Sequence, residues 1–175
     1  MAQSSHRRMV KELRKVAAAA DTDNYYFSKN RLIHFQKQLD AAKTRGDMFE
    51  YMRLSNELGA ITMQLGDVTA SLQHYQDTYA LFEQINKQSP GSLPESAKHS
   101  LLYFMGVASL RQAEDDNCVN CRTGESCILP IQGTGVHKNR RGSEAAMNYF
   151  QEALEIDDSN TAAIWLLNLA AMTLG

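Results

Sequence analysis

The feature that most narrows what this chain can fold into is a recurring order of small, turn and aromatic residues. Leu58-Gly59 is followed by the pair Gly66-Asp67 and then by Ser71, Tyr75 and Thr78. Small residues sit where two helices of a hairpin approach closely, and Tyr75 fills the gap between them. Gly66-Asp67 ends the first helix and begins the turn to the second. Met105-Gly106 opens another set. Its second half, Ala146, Phe150 and Ala153, arrives after an interruption and is followed by Asp157-Asp158. Leu167-Asn168, Ala171 and Gly175 open a third. Recurrence of this kind signals repeated helical hairpins.

The rest of the chain agrees with an all-α class. Only three prolines occur in 175 residues, and Ala, Leu, Met, Gln and Glu are abundant. Alternating Val/Ile/Thr runs and Asn-Gly hairpin signals are lacking. A helix is expected from about Ser5 to Ala20, with Met9, Val10, Leu13, Val16 and Ala17 on one apolar stripe. Asp21-Thr22-Asp23-Asn24 breaks it. A second helix runs from near Tyr25 to Arg45 with Leu32, Phe35, Leu39 and Ala42 facing inward, and Gly46-Asp47 stops it. The linker Ser89-Pro90-Gly91-Ser92-Leu93-Pro94-Glu95 is a turn whose prolines cannot continue a helix, and Glu95 suits a new first turn.

These offsets resemble the tetratricopeptide (TPR) pattern, a unit of about 34 residues. The departures are Ser71 and Thr78 in place of the usual alanines, no proline closing a repeat, and Trp165 one place beyond the usual aromatic. The expected fold is all-α, with TPR-like antiparallel hairpins in a right-handed solenoid and a cysteine-containing loop insertion. One helical domain would span 1–175. It divides into an N-terminal hairpin over 1–46, a repeat over 48–88, a repeat over 96–158 interrupted by 115–142, and the first helix of a truncated repeat over 160–175. Ile164, Leu166, Leu167, Leu169 and Met172 then lack a downstream partner, as at the edge of a longer protein.

Charge excludes some classes of partner. The net charge of -2 offers no general attraction to nucleic acid. The basic clusters at 6–8 and 137–141 are short enough to be solvated. No apolar run reaches the roughly 20 residues that cross a bilayer, and Val16-Ala17-Ala18-Ala19-Ala20 is too short for a signal-peptide core. A soluble chain without nucleic-acid binding or membrane insertion is expected.

The segment from Asp115 to Gly142 holds all three cysteines and is far longer than a hairpin needs. Its apolar run Ile128-Leu129-Pro130-Ile131 should dock on the helices. A disulfide is one reading, with Cys118 and Cys127 as the preferred pair, worth roughly 2–3 kcal/mol in the chain-entropy model. A second is a tetrahedral zinc site of Cys118, Cys121, Cys127 and His137, although the spacing is unfamiliar. A third is a Cys118-Val119-Asn120-Cys121 redox pair, which needs a βαβ setting that is not expected here. Unreactive thiols are the fourth. Gly133-Thr134-Gly135 follows no strand and so argues against a nucleotide loop. His34, His74 and His99 stand isolated, Asp157 to Asn160 reads as a cap, and Tyr25-Tyr26-Phe27 reads as core packing.

Two passages carry a narrower resemblance. One runs from Asn117-Cys118 through Glu125-Ser126-Cys127-Ile128-Leu129-Pro130-Ile131 to Gly135-Val136-His137, and the other is Trp165-Leu166-Leu167-Asn168-Leu169-Ala170 with Met172-Thr173-Leu174-Gly175. Over about residues 100 to 175 the chain resembles the N-terminal TPR region of bacterial FG-GAP/VCBS-repeat proteins with an ASPIC/UnbV domain. In that family a β-propeller follows the helical region. The resemblance implies the helical half alone, no transferred calcium site, and export to the periplasm or outside; without it the cytoplasm is the default. It also raises the weight of a disulfide, with Cys121 as an extra thiol.

The expected function is a non-enzymatic protein-interaction scaffold without a cofactor. Its partner would be a peptide, a downstream β-propeller or a second copy of the chain. Arg53, Asn56, Gln64 and Asn168 are the candidate groove residues. The alternatives are the zinc module and an accessory subunit that presents substrate to a modifying enzyme.

Overall fold

Left-handed glycines and short acidic caps divide the chain where the pattern puts its breaks. In the computed structural model, which describes residues 2–19, 28–119, 125 and 128–175, seven α-helices follow one another. They are α1 (Ala2–Ala19), α2 (Ser28–Arg45), α3 (Met48–Gln64), α4 (Val68–Gln88), α5 (Glu95–Glu114), α6 (Arg141–Ile156) and α7 (Thr161–Leu174). No strand occurs among the described residues. The all-α class is what the chain adopts. Residues 25–27, expected to start the second helix, lie outside the described residues.

The turns explain themselves chemically. Gly46 and Gly66 take φ of 69° and 82°, which only glycine adopts without strain, and so end α2 and α3. The next residue caps the following helix in each case. An oxygen of Asp47 accepts the Glu50 N–H at 3.1 Å, and one of Asp67 accepts the Ala70 N–H at 3.1 Å. Asn160 does the same for Ala163 at the start of α7. Turns this short return the chain antiparallel to itself.

From α2 to α7 each helix packs against its neighbours in the sequence. Phe35, Leu39 and Ala42 of α2 are buried against Leu54, Leu58 and Ile61 of α3. Met52, Tyr75, Phe82, Leu101 and Met105 join α3, α4 and α5. Leu110, Ala146, Phe150, Ala163 and Ala170 join α5, α6 and α7. Two of these contacts press a ring onto bare backbone. A methyl group added at Gly59 would lie 2.7 Å from Tyr75 Cε1, and one at Gly106 would lie 2.5 Å from Phe150 Cε1. Gly142 makes a third close approach at the start of α6, where an added carbon would meet the Ser109 carbonyl oxygen at 2.9 Å. Sequence reading did not single it out as a contact.

The third set of pattern residues packs differently from the first two. Thr62 and Ser109, three places after the glycines of α3 and α5, are buried. Asn168 and Ala171 at the matching places in α7 are exposed. Burial in α7 falls on Ala163, Ala170 and Thr173, the face turned to α6 and to the segment before it. Leu166, Leu167 and Leu169, expected to lack a partner, pack partly against this last cluster. Ile164, Trp165 and Met172 remain exposed.

Gly106→Ala should lower stability by roughly 1–3 kcal/mol in urea denaturation, because the Phe150 ring has to leave its site. An unchanged midpoint would mean that the ring contact does not set the α5–α6 spacing.

Candidate functional site

The connection between α5 and α6 runs over residues 115–140, slightly shorter than expected, because Arg141 and Gly142 already belong to α6. It leaves α5 through a π-helical turn, Asp115–Val119, and comes back through a 3-10 turn, Gly133–Gly135. A buried asparagine joins the two ends. Asn117 Nδ2 donates to the Ala113 carbonyl at 2.8 Å and to the Asn139 carbonyl at 3.0 Å, and its Oδ1 accepts the Asn139 N–H at 2.9 Å. Farther out, Glu125 Oε2 accepts from the backbone N–H of Thr134 at 2.8 Å and from its hydroxyl at 2.6 Å. These hydrogen bonds hold the Glu125 carboxyl below the usual carboxylate range.

His137 is the hub of the returning segment and is 3% exposed. Its backbone N–H donates to the Thr173 carbonyl in α7 at 2.8 Å. Its Nδ1 lies 2.9 Å from Ser143 Oγ in α6, and its Nε2 lies 3.4 Å from Cys118 Sγ in the π-helical turn after α5. Proton counting assigns the tautomer. Thr173 Oγ1 is 2.6 Å from the Ala170 carbonyl, which can only accept, so the Thr173 hydroxyl donates there. The 2.8 Å contact between Thr173 and Ser143 then needs the Ser143 proton. Ser143 has no proton left for the ring, so Nδ1 carries the hydrogen and Nε2 presents its lone pair to Cys118. Burial pushes the His137 pKa below its ordinary value, and the Glu114 carboxylate opposes this more weakly.

Beside this hub lies an apolar cavity of about 160 Å³ lined by Glu114, Cys118, Leu129, Ile131, Trp165, Leu169 and Thr173. Of the apolar run expected to dock on the helices, Ile131 and Leu129 line this cavity, although Leu129 and Ile128 are more than half exposed. Of the four residues read as a possible metal set, Cys118 and His137 come together, while Cys121 and Cys127 lie outside the described residues. The preferred Cys118–Cys127 pairing falls there as well. Among the described residues no three His, Cys, Asp or Glu side chains converge.

The groove candidates separate. Arg53 and Asn56 line one cavity of about 190 Å³ with Met52, Thr78, Ala97, Ser100 and Leu101, between α3 and α5. Arg53 is held by Glu50 through two bonds of 2.8 and 2.7 Å, which lower the Glu50 pKa. Gln64 is exposed at the far end of α3 and lines no part of that cavity. Asn168 is exposed on α7 and donates to its own helix at the Ile164 carbonyl, 2.8 Å away. Asn117, Ser143 and Thr173 were missed as a group. Their only sequence signal is a polar residue at positions where the helical pattern asks for an apolar or small one.

Two outcomes test the hub. Asn117→Ala should cost about 1–3 kcal/mol, since it removes the three bonds by which a buried side chain joins the Ala113 and Asn139 backbones. Because the folded-state pKa of His137 is depressed, its contribution to stability is present above pH about 6.5 and is lost as pH falls toward the folded value. Burial also lowers the pKa of His74, so the comparison has to be with His137→Gln. Thermal melts between pH 7 and 5 should show a steeper loss for the parent chain than for that variant.

No protein-family model, curated protein or solved structure matches this chain.

Proposed function

We propose that this chain is a protein-interaction module built of TPR-like hairpins, whose groove between α3 and α5 receives a peptide segment of a partner. The observation that carries this reading is the cavity lined by Arg53, Asn56, Thr78, Ser100 and Leu101. Met52, Ala97 and Leu101 give it apolar walls, with the side chains of Arg53 and Asn56 beside them. An extended or helical peptide needs both, apolar area for affinity and a few polar groups for register. The repeat reading is supported by the two ring-on-glycine contacts, Tyr75 on Gly59 and Phe150 on Gly106, which fall at matching places in successive hairpins. Stacked in this way, such hairpins would wind as a right-handed solenoid. On this reading the chain is the helical region of an FG-GAP/ASPIC-UnbV-type protein, and it works without catalysis.

A peptide-display selection against the intact chain tests the groove. Selected peptides should bind at least tenfold more weakly to Asn56→Ala, and Gln64→Ala should leave them unaffected. If no selected peptide responds to Asn56 or Arg53, the groove is not the binding site.

A second reading rests on the Cys118–His137 contact. A thiolate sulfur and an imidazole nitrogen bound to one tetrahedral zinc ion stand about 3.5 Å apart, given metal–ligand lengths of about 2.3 and 2.0 Å. The observed 3.4 Å is close to that, and Ser143 holds the ring with Nε2 toward the sulfur. Cys118 and His137 would supply two ligands, with Cys121 and Cys127 as the other two, and the ion would brace the connection. Thiol counting by alkylation and intact mass, together with metal analysis, separates the readings. One zinc per chain, lost in His137→Ala, supports the metal site. One reactive thiol and no zinc supports a Cys118–Cys127 disulfide instead.

A further inference from the structure

Helix α1 stands apart from the pattern of the other six. Its residues Met9, Leu13 and Val16 recur at helical spacing on one face and are 55%, 60% and 61% exposed. Among the described residues no hydrophobic cluster includes them. Leaving three such side chains in water is unfavourable, so the face is suited to being covered. The charges say by what. Arg7, Arg8, Lys11, Arg14 and Lys15 face the single acid Glu12 within this helix, although the whole chain is net negative at -2. Arg7, Lys11 and Arg14 form a row with His6 and Val10 along one side of the helix, while Lys15 pairs with Glu12 at 2.9 Å. At 100° per residue the five cations lie on the side of the helix away from Met9, Leu13 and Val16.

We propose that α1 is an interfacial helix that lies on an anionic phospholipid bilayer. Met9, Leu13 and Val16 would dip into the boundary between headgroups and acyl chains, and the flanking arginines and lysines would reach the lipid phosphates. This is adsorption and not insertion: no described helix is long and apolar enough to cross a membrane. The apolar face is narrow and has no aromatic residue. It is too small to hold the chain on a neutral bilayer, so binding depends on the lipid charge. A second copy of α1 is a poorer cover, because three side chains per helix make only a small apolar seam and each copy adds five cations against one acid.

Co-sedimentation of the full chain with vesicles tests this, using phosphatidylcholine alone and phosphatidylcholine with about one third phosphatidylglycerol. The expected result is binding to the anionic vesicles only, weakened at least tenfold between about 50 and 500 mM salt. Leu13→Asp should lower binding at least tenfold with an unchanged melting curve, since Leu13 is outside the core. The double change Arg7→Gln and Arg14→Gln should lower it about thirtyfold. No binding at millimolar anionic lipid overturns the proposal, as does equal binding to neutral vesicles or a Leu13→Asp chain that binds like the parent. Self-association abolished by Leu13→Asp would also overturn it, by making a second copy the cover.

Discussion

A ring pressed against helix backbone that has no side chain sets how closely α3 meets α4 and α5 meets α6. Phe150 rests on Gly106 and Tyr75 on Gly59, each closer than any Cβ would permit. Tyr75 also reaches the next helix, stacking on Phe104 of α5 at 5.5 Å, while Phe150 meets Tyr103 of the same α5 at 6.1 Å. Tyr75 therefore serves both the interior of its own hairpin and the seam with the following helix. Such packing is directional, because aromatic pairs favour offset and edge geometries. Burial pushes the Tyr75 phenol up to about 12, so it stays uncharged at any ordinary pH.

The α5–α6 connection is held by a different kind of force. It has little apolar area to bury, with Ile128 and Leu129 largely exposed, and it depends on matched polar groups instead. The bonds of Asn117 to Ala113 and Asn139 tie the exit from α5 to the entry to α6. His137 ties the same place to α7 through Ser143 and the Thr173 carbonyl. Each such bond contributes modestly when made and costs more when one partner is removed, since the other stays buried without a mate. The hub therefore loses more from one missing member than a single bond contributes. It also places Cys118 beside an imidazole lone pair, where its chemistry depends on the whole network.

Much of the helical layout was legible because its signals are local. Gly46-Asp47 and Gly66-Asp67 carry the stop and the cap within two residues, and the observed bonds from Glu50 and Ala70 are the ones those residues promise. Asn160, read as a cap and not as a calcium ligand, caps α7. The groove was legible in part. Arg53 and Asn56 lie one helical turn apart and share a cavity, whereas Gln64 and Asn168 sit elsewhere. The hub was not legible. Asn117, His137, Ser143 and Thr173 are separated by up to 56 residues, and nothing in their spacing announces that they meet.

By itself, then, the sequence determined the helical class, the turns and the pairing of glycine with aromatic ring, because these depend on residues within a turn or a hairpin of one another. Tertiary structure alone decided which face of α7 is covered, which nitrogen of His137 faces Cys118, and that α1 keeps its apolar stripe in solvent. Burial and proton sharing are properties of a neighbourhood. A periodic stripe says that a face is apolar, and only the packed chain says whether anything lies against it.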